Sequence, residues 1–87
     1  MKAVVTVIGK DMVGILAKVA TACAESNANV LEVTQSVLQE YFAMVMLIDI
    51  SDINADFSEL TASLEKSVEG MKIHVMHEDI FNSMHRI

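Results

Sequence analysis

From residue 2 to Gly9 the chain is almost continuously apolar, and Val4, Val5, Val7 and Ile8 are branched at Cβ, the pattern of a strand buried on both faces. Past Gly9 the spacing turns helical. Ile15, Leu16, Val19, Ala20 and Cys23 share one face of a helix predicted over about residues 13–26, with Lys18, Thr21 and Glu25 outward. Gly9 permits the backbone angles of a sharp turn, Asp11 sits where an N-cap is expected, and Gly14 falls inside the first turn. Asn27, Ala28 and Asn29 end the helix, because Asn tolerates left-handed backbone.

Residues 30–39 alternate, with Leu31, Val33 and Val37 on one side and Glu32, Thr34, Ser36 and Leu38 on the other; Gln35 interrupts the apolar side. Glu40 and Tyr41 form a tight connection to a third strand, residues 42–50, apolar on both faces. After a polar loop, Asp56 with Glu59 resembles a capping box. A second helix then carries Phe57, Leu60, Leu64 and Val68 at intervals of three or four, and Gly70 stops it. A fourth strand covers about residues 71–76, and Ile80, Phe81, Met84 and Ile87 share one side of a possible short terminal helix. The order is βαββαβ. Right-handed crossovers put both helices on one face of a four-stranded antiparallel sheet, so the expected class is α+β, a ferredoxin-like sandwich whose first and third strands are central. The second face is left with Phe42, Met44, Thr6 or their neighbours, depending on register, and an apolar open face or the exposed edge of the second strand predicts self-association.

With 87 residues, 53% hydrophobic, three Gly and no Pro, the chain reads as a single domain, 1–87, with a core over 1–76 and an extension over 77–87. Its net charge of −6 and the dispersal of Lys2, Lys10, Lys18, Lys66, Lys72 and Arg86 along the sequence argue against a nucleic-acid or membrane-surface partner. One cysteine, Cys23, on a buried helix face, excludes a disulfide framework and reads as core. The opening strand is too short for a secretory leader and the longest apolar run too short for a membrane span, so the expected location is the cytoplasm.

Ferredoxin-like domains host several chemistries, and the residues choose among them. The first turn lacks the two thiolates that would capture copper, the first strand lacks the aromatics that stack RNA bases, and Lys10 lacks the fork of a phosphate-binding arginine. No nucleophile and base stand at meaningful spacing, so no enzyme and no cofactor are expected. His74, His77 and His85 cluster near the end of the sequence; His77, Glu78 and His85 could approach one another around a divalent metal if the last helix folds back, although their spacing fixes no such geometry. Surface histidines are the simpler reading, and no metal ligand is assigned. The strand methionines, Met44, Met46, Met71 and Met76, read as adaptable packing, and Asp49 as solvent-exposed. The helix start after Gly9 is the strongest candidate site, because its unpaired N–H groups carry partial positive charge and a glycine lets an anion approach them.

The string GKDMVGILAKVA from Gly9 to Ala20, followed by ESNANVLEV from Glu25 to Val33, resembles the ACT domain, a small regulatory module of amino-acid metabolism. The likeness covers residues 1–76 and is nearest to stand-alone ACT proteins and to the ACT repeats of glycine-cleavage regulators and formyltetrahydrofolate deformylases. It implies the ferredoxin-like fold and an effector, often an amino acid, bound near the first turn and the start of the second strand across a dimer interface. By position this implicates Gly9, Asp11, Val13, Gly14, Ile15, Asn29 and Val30. Helix N–H groups would take the ligand carboxylate, and Asp11 and the Asn29 side-chain oxygen its ammonium. Serine-sensing members place neutral or weakly basic side chains where this chain has Gly9 and Asp11, so serine is not the implied effector. The resemblance thus implies a non-enzymatic homodimeric sensor acting on a regulated partner. The competing readings are a protein-interaction module with a purely structural turn, and a metal-responsive module built on the C-terminal histidines.

Overall fold

The computed structural model describes residues 1–10, 14–68 and 70–84. The elements run β1 (Lys2–Gly9), α1 (Ile15–Glu25), β2 (Asn29–Leu38), β3 (Tyr41–Asp49), α2 (Phe57–Ser67), β4 (Lys72–His77) and α3 (Glu78–Met84). The four strands form one antiparallel sheet in the order β2-β3-β1-β4, as a pair of right-handed crossovers demands. Helix α1 packs on β2 and α2, and α2 packs on β4. The core lies between helices and sheet: Val5, Val7, Met44, Met46 and Ile48 meet Val19, Cys23, Leu60 and Leu64, all fully buried. Each such side chain contributes about 1.5–3 kcal/mol of transfer free energy. Burial raises the Cys23 thiol to about 11, so it is neutral packing, as its helical position implied.

Register settles which residues face the helices. Ala3, Val5 and Val7 pair with Ile48, Met46 and Met44, so the even-numbered positions of β3 point inward and Phe42 and Met44 belong to the core rather than to the open face. The open face carries Val4, Thr6 and Ile8 of β1 and Tyr41, Ala43, Val45 and Leu47 of β3. On β2, alternation is broken by a bulge at Leu31: Val30 pairs with Ile48 but Glu32 with Leu47. Leu31 is therefore 41% exposed while Val30 and Val33 pack against the core.

Local signals placed the remaining boundaries. Asn27 has φ 61°, and Gly70 has φ 87° beyond the end of α2. Asp56 caps α2 by accepting the Glu59 N–H at 2.8 Å. At α1 the cap position is held by Gly14, with φ 72° and no side-chain cap hydrogen bond, so Gly14 precedes the helix and the expected cap at Asp11 is corrected. The reason is conformational: a left-handed residue joins the turn to the helix, and glycine takes it without strain. The terminal helix α3 turns onto the sheet face opposite α1 and α2, where Val4 is only 4% exposed. Phe81 is half-buried, whereas Ile80 is 52% exposed and so does not share its face. Among the described residues no helix is long and apolar enough to cross a membrane.

Candidate functional site

The sandwich has two ends. At one, β1 leads into α1, β3 begins at Tyr41, and the α2–β4 connection passes Val68 and Gly70. These segments enclose a cleft of about 510 Å³. Its apolar part is Ile8, Ile15, Val68 and Met71; Gly9 and Gly70 bring backbone to its wall; and Lys10, Lys18, Lys72 and Tyr41 complete it. Three of the six cationic side chains in the chain thus converge on one cleft, although they lie far apart in sequence. The antiparallel pairing of Ile8 with Lys72 is what brings the third of them to the first two.

Gly9 is part of the wall for a packing reason. A Cβ there would stand 2.6 Å from Met71 Cγ, so only a residue without a side chain lets the α2–β4 connection approach β1. Gly14 differs: nothing lies within 4 Å of its missing Cβ, and its need is for left-handed backbone alone. Its carbonyl accepts the Lys18 N–H at 2.9 Å, the first bond of α1, and the preceding amides of the helix point toward the end where Ile15 lines the cleft. No acidic residue stands in the first turn of α1, so the partial positive charge of those amides adds to that of the lysines. Lys10 Nζ lies 5.8 Å from the centre of the Tyr41 ring, a cation–π contact that holds one ammonium at the rim.

Of the residues implicated by sequence, Gly9 and Ile15 line this cleft and Gly14 adjoins it. Asp11 and Val13 lie outside the described residues. Asn29 and Val30 are not brought to it within one chain: Asn29 pairs with Asp49, which pairs with Lys2, at the other end of the sheet. Seven residues of β1 separate the two places, about 23 Å at a strand's rise. Lys18, Tyr41, Val68, Met71 and Lys72 were missed, since each reads by itself as a helix surface, a strand start or a loop.

The histidine reading rests on His77, Glu78 and His85, of which His85 lies outside the described residues. His74 pairs with Thr6 and faces the open side, while His77 pairs with Ala3, faces the helices and stacks on Phe57 at 4.4 Å between ring centroids. His74 and His77 thus stand on opposite faces of β4 and are not placed to share an ion. Among the described residues no three acidic, histidine or cysteine side chains are placed to hold a metal.

A two-layer sandwich of this topology, here with a cationic corner cleft, is of the ferredoxin-like class. The chain belongs to the ACT domain family: the family model matches residues 2–78. It is 49% identical over 86 residues to a UPF0237 protein of Methanococcus maripaludis, covering 97% of this chain and 96% of that one. Among solved structures it is similar to an ACT domain protein from Streptococcus pneumoniae, with a TM-score of 0.80, 38% identity and 98% of both chains covered. The regulatory subunit of aspartate kinase from Thermus thermophilus aligns at a TM-score of 0.65 and 26% identity, over 85% of this chain and 49% of that one. A formyltetrahydrofolate deformylase from Pseudomonas putida shares the fold, with a TM-score of 0.77 at 18% identity over 91% of this chain and 30% of the other. ACT domains are regulatory modules for small ligands.

Proposed function

We propose that this protein is a non-enzymatic, cytoplasmic regulatory module that binds an amino acid in the corner cleft, acts as a homodimer, and passes occupancy to a regulated protein partner. The observation that carries this reading is the convergence of Lys10, Lys18 and Lys72 beside the opening turn of α1. A carboxylate entering there meets three ammonium groups and the helix amides, while Ile15, Val68 and Met71 accept an apolar side chain. Gly14, with nothing within 4 Å of its missing Cβ, gives close approach to the backbone, while Gly9 keeps Met71 against the cleft wall and Ile15 lines its apolar side. Asp11, next to Lys10 in the chain, is the acceptor assigned to the ligand's ammonium, with Val13 beside it. Asn29 and Val30 enter the site from a second copy. The regulatory subunit of aspartate kinase among the structural relatives supports a regulatory role in amino-acid metabolism.

A thermal-shift panel of the twenty amino acids tests the reading. An amino acid at about a hundred times its dissociation constant stabilises the native state by about 2.7 kcal/mol. Lys18→Gln and Lys72→Gln each remove most of that shift. A panel in which nothing shifts overturns the proposal.

A further inference from the structure

The three lysines of the corner cleft do not come from one side of the sheet. Lys72 pairs with Ile8, and residues directly opposite each other share a face. Ile8 is 50% exposed on the open face, whereas the neighbouring pair, Val7 and Ile73, is buried beneath the helices, so Lys72 stands on the open side. Tyr41 belongs to that side as well, one position before the buried Phe42, and its ring holds Lys10 Nζ at 5.8 Å. Lys18 comes from the other layer. It lies one turn past Gly14, whose carbonyl accepts its N–H, on the helix that packs against α2 over the buried face.

Between these two cationic edges the wall is Gly9, Gly70 and Met71, with Ile15 and Val68 lining the helix side. Gly9 and Met71 are in such close contact that a Cβ on Gly9 would stand 2.6 Å from Met71 Cγ. The cleft therefore wraps the end of the sheet, with one ammonium group on the helix side, two on the open side and an apolar saddle between. Among the described residues no carboxylate lines it. A neutral amino acid is zwitterionic, and its single carboxylate offsets one of the three positive charges and reaches one edge. A ligand with two carboxylates on a short hydrocarbon stem meets both edges, while the stem lies on the saddle.

We infer that the effector of this cleft is a dicarboxylic amino acid. Lys18 and the opening turn of α1 take its α-carboxylate, the stem crosses Gly9 and Met71, and Lys72 with Lys10 takes the second carboxylate. This deepens, and rests on, the reading of the cleft as an amino-acid site.

Calorimetric titration of the intact chain with glutamate, glutamine, aspartate, asparagine and glutarate tests the inference. Each amide has the shape of its acid without the second charge, so at least one acid binds about tenfold or more tighter than its own amide. Added salt narrows that gap, because ammonium groups at an open edge are screened. Lys72→Gln, checked for an unchanged melting temperature without ligand, brings the acid to the affinity of its amide and leaves the amide as it was. Lys18→Gln weakens acid and amide alike. Amides that bind as tightly as both acids overturn the second carboxylate and leave the amino-acid reading standing, as does a Lys72→Gln protein that loses acid and amide equally. The acid-against-amide comparison needs only the parent chain, so it holds even where a substitution disturbs the fold. Glutarate binding as tightly as glutamate keeps the two-edged cleft and overturns the amino-acid reading. A chain that binds none of the five while another amino acid shifts its melting overturns this inference alone.

Discussion

The two ends of the sandwich are built differently. Where α1 exits, the chain is tied by hydrogen bonds between segments distant in sequence: the Asn27 amide donates to the Asp52 carbonyl at 2.8 Å, the Asn54 amide to the Glu25 carbonyl at 3.0 Å, and the Asn54 N–H to the Ser26 carbonyl at 3.1 Å. Ser51 N–H closes the next turn onto Asp49 at 2.9 Å. At the opposite end the β1–α1 and α2–β4 connections leave a gap of about 510 Å³ edged by lysines, and the helix that starts there has no side-chain cap. One end uses its polar groups on itself. At the other, among the described residues, Lys18 and Lys72 show no ion pair and Lys10 only its contact with the Tyr41 ring, an arrangement that suits binding, since groups already satisfied have little to gain from a ligand.

That contrast is open to direct attack. The largest effect is expected at the tied end: Asn27→Gly, which keeps the left-handed backbone, together with Asn54→Ala should lower stability by about 2 kcal/mol in chemical denaturation. Amino-acid binding at the far end should persist, and a parallel loss of binding would break the division. At the open end Gly14→Ala should cost about 1 kcal/mol, all of it backbone strain, because its Cβ meets nothing. A cost near zero would show that the turn tolerates an L-residue. Smaller still, Lys18→Gln should change stability by no more than about 0.5 kcal/mol while removing most of the ligand-induced thermal shift. Destabilisation well beyond that would make the lysine a structural residue.

The last test concerns acid. The Ser51 N–H bond, with the Ser51 hydroxyl and then the nearby amino-terminal and Lys2 charges, holds the Asp49 carboxyl below its ordinary 3.8. A depressed carboxyl contributes stability that is complete above the unfolded-state value and is lost as pH falls through the folded one. Asp49→Asn should therefore flatten the acid limb of the melting-temperature profile below about pH 4 and leave the neutral region little changed. An unaltered acid limb would mean the bond carries no linkage.

The elements were legible because their signals are local. The unbroken apolar run of β1, the three-and-four spacing of α2 and the Asp56 cap each depend on residues within a few positions, and all three hold in the structure. So did Asn27 and Gly70, where positive φ narrows the choice of residue. The Leu31 bulge was not legible. An inserted residue leaves the composition of a strand unaltered and shows itself only in the partner's register. The candidate site divides in the same way. Gly9, Gly14 and Ile15 belong to a turn that announces itself, whereas Lys72 and Met71 join it only because β4 runs antiparallel beside β1.

The sequence by itself determined the order of strands and helices, the family and the turn at which a ligand would be sought, since periodicity and turn chemistry act over a few residues. Only the tertiary structure decided that three dispersed lysines meet in one cleft, that Asn29 and Val30 stand at the far end of the sheet, and that α3 covers the Val4 end of the open face. Those facts depend on strand register and crossover geometry, which join positions too distant in the chain for any local pattern to record.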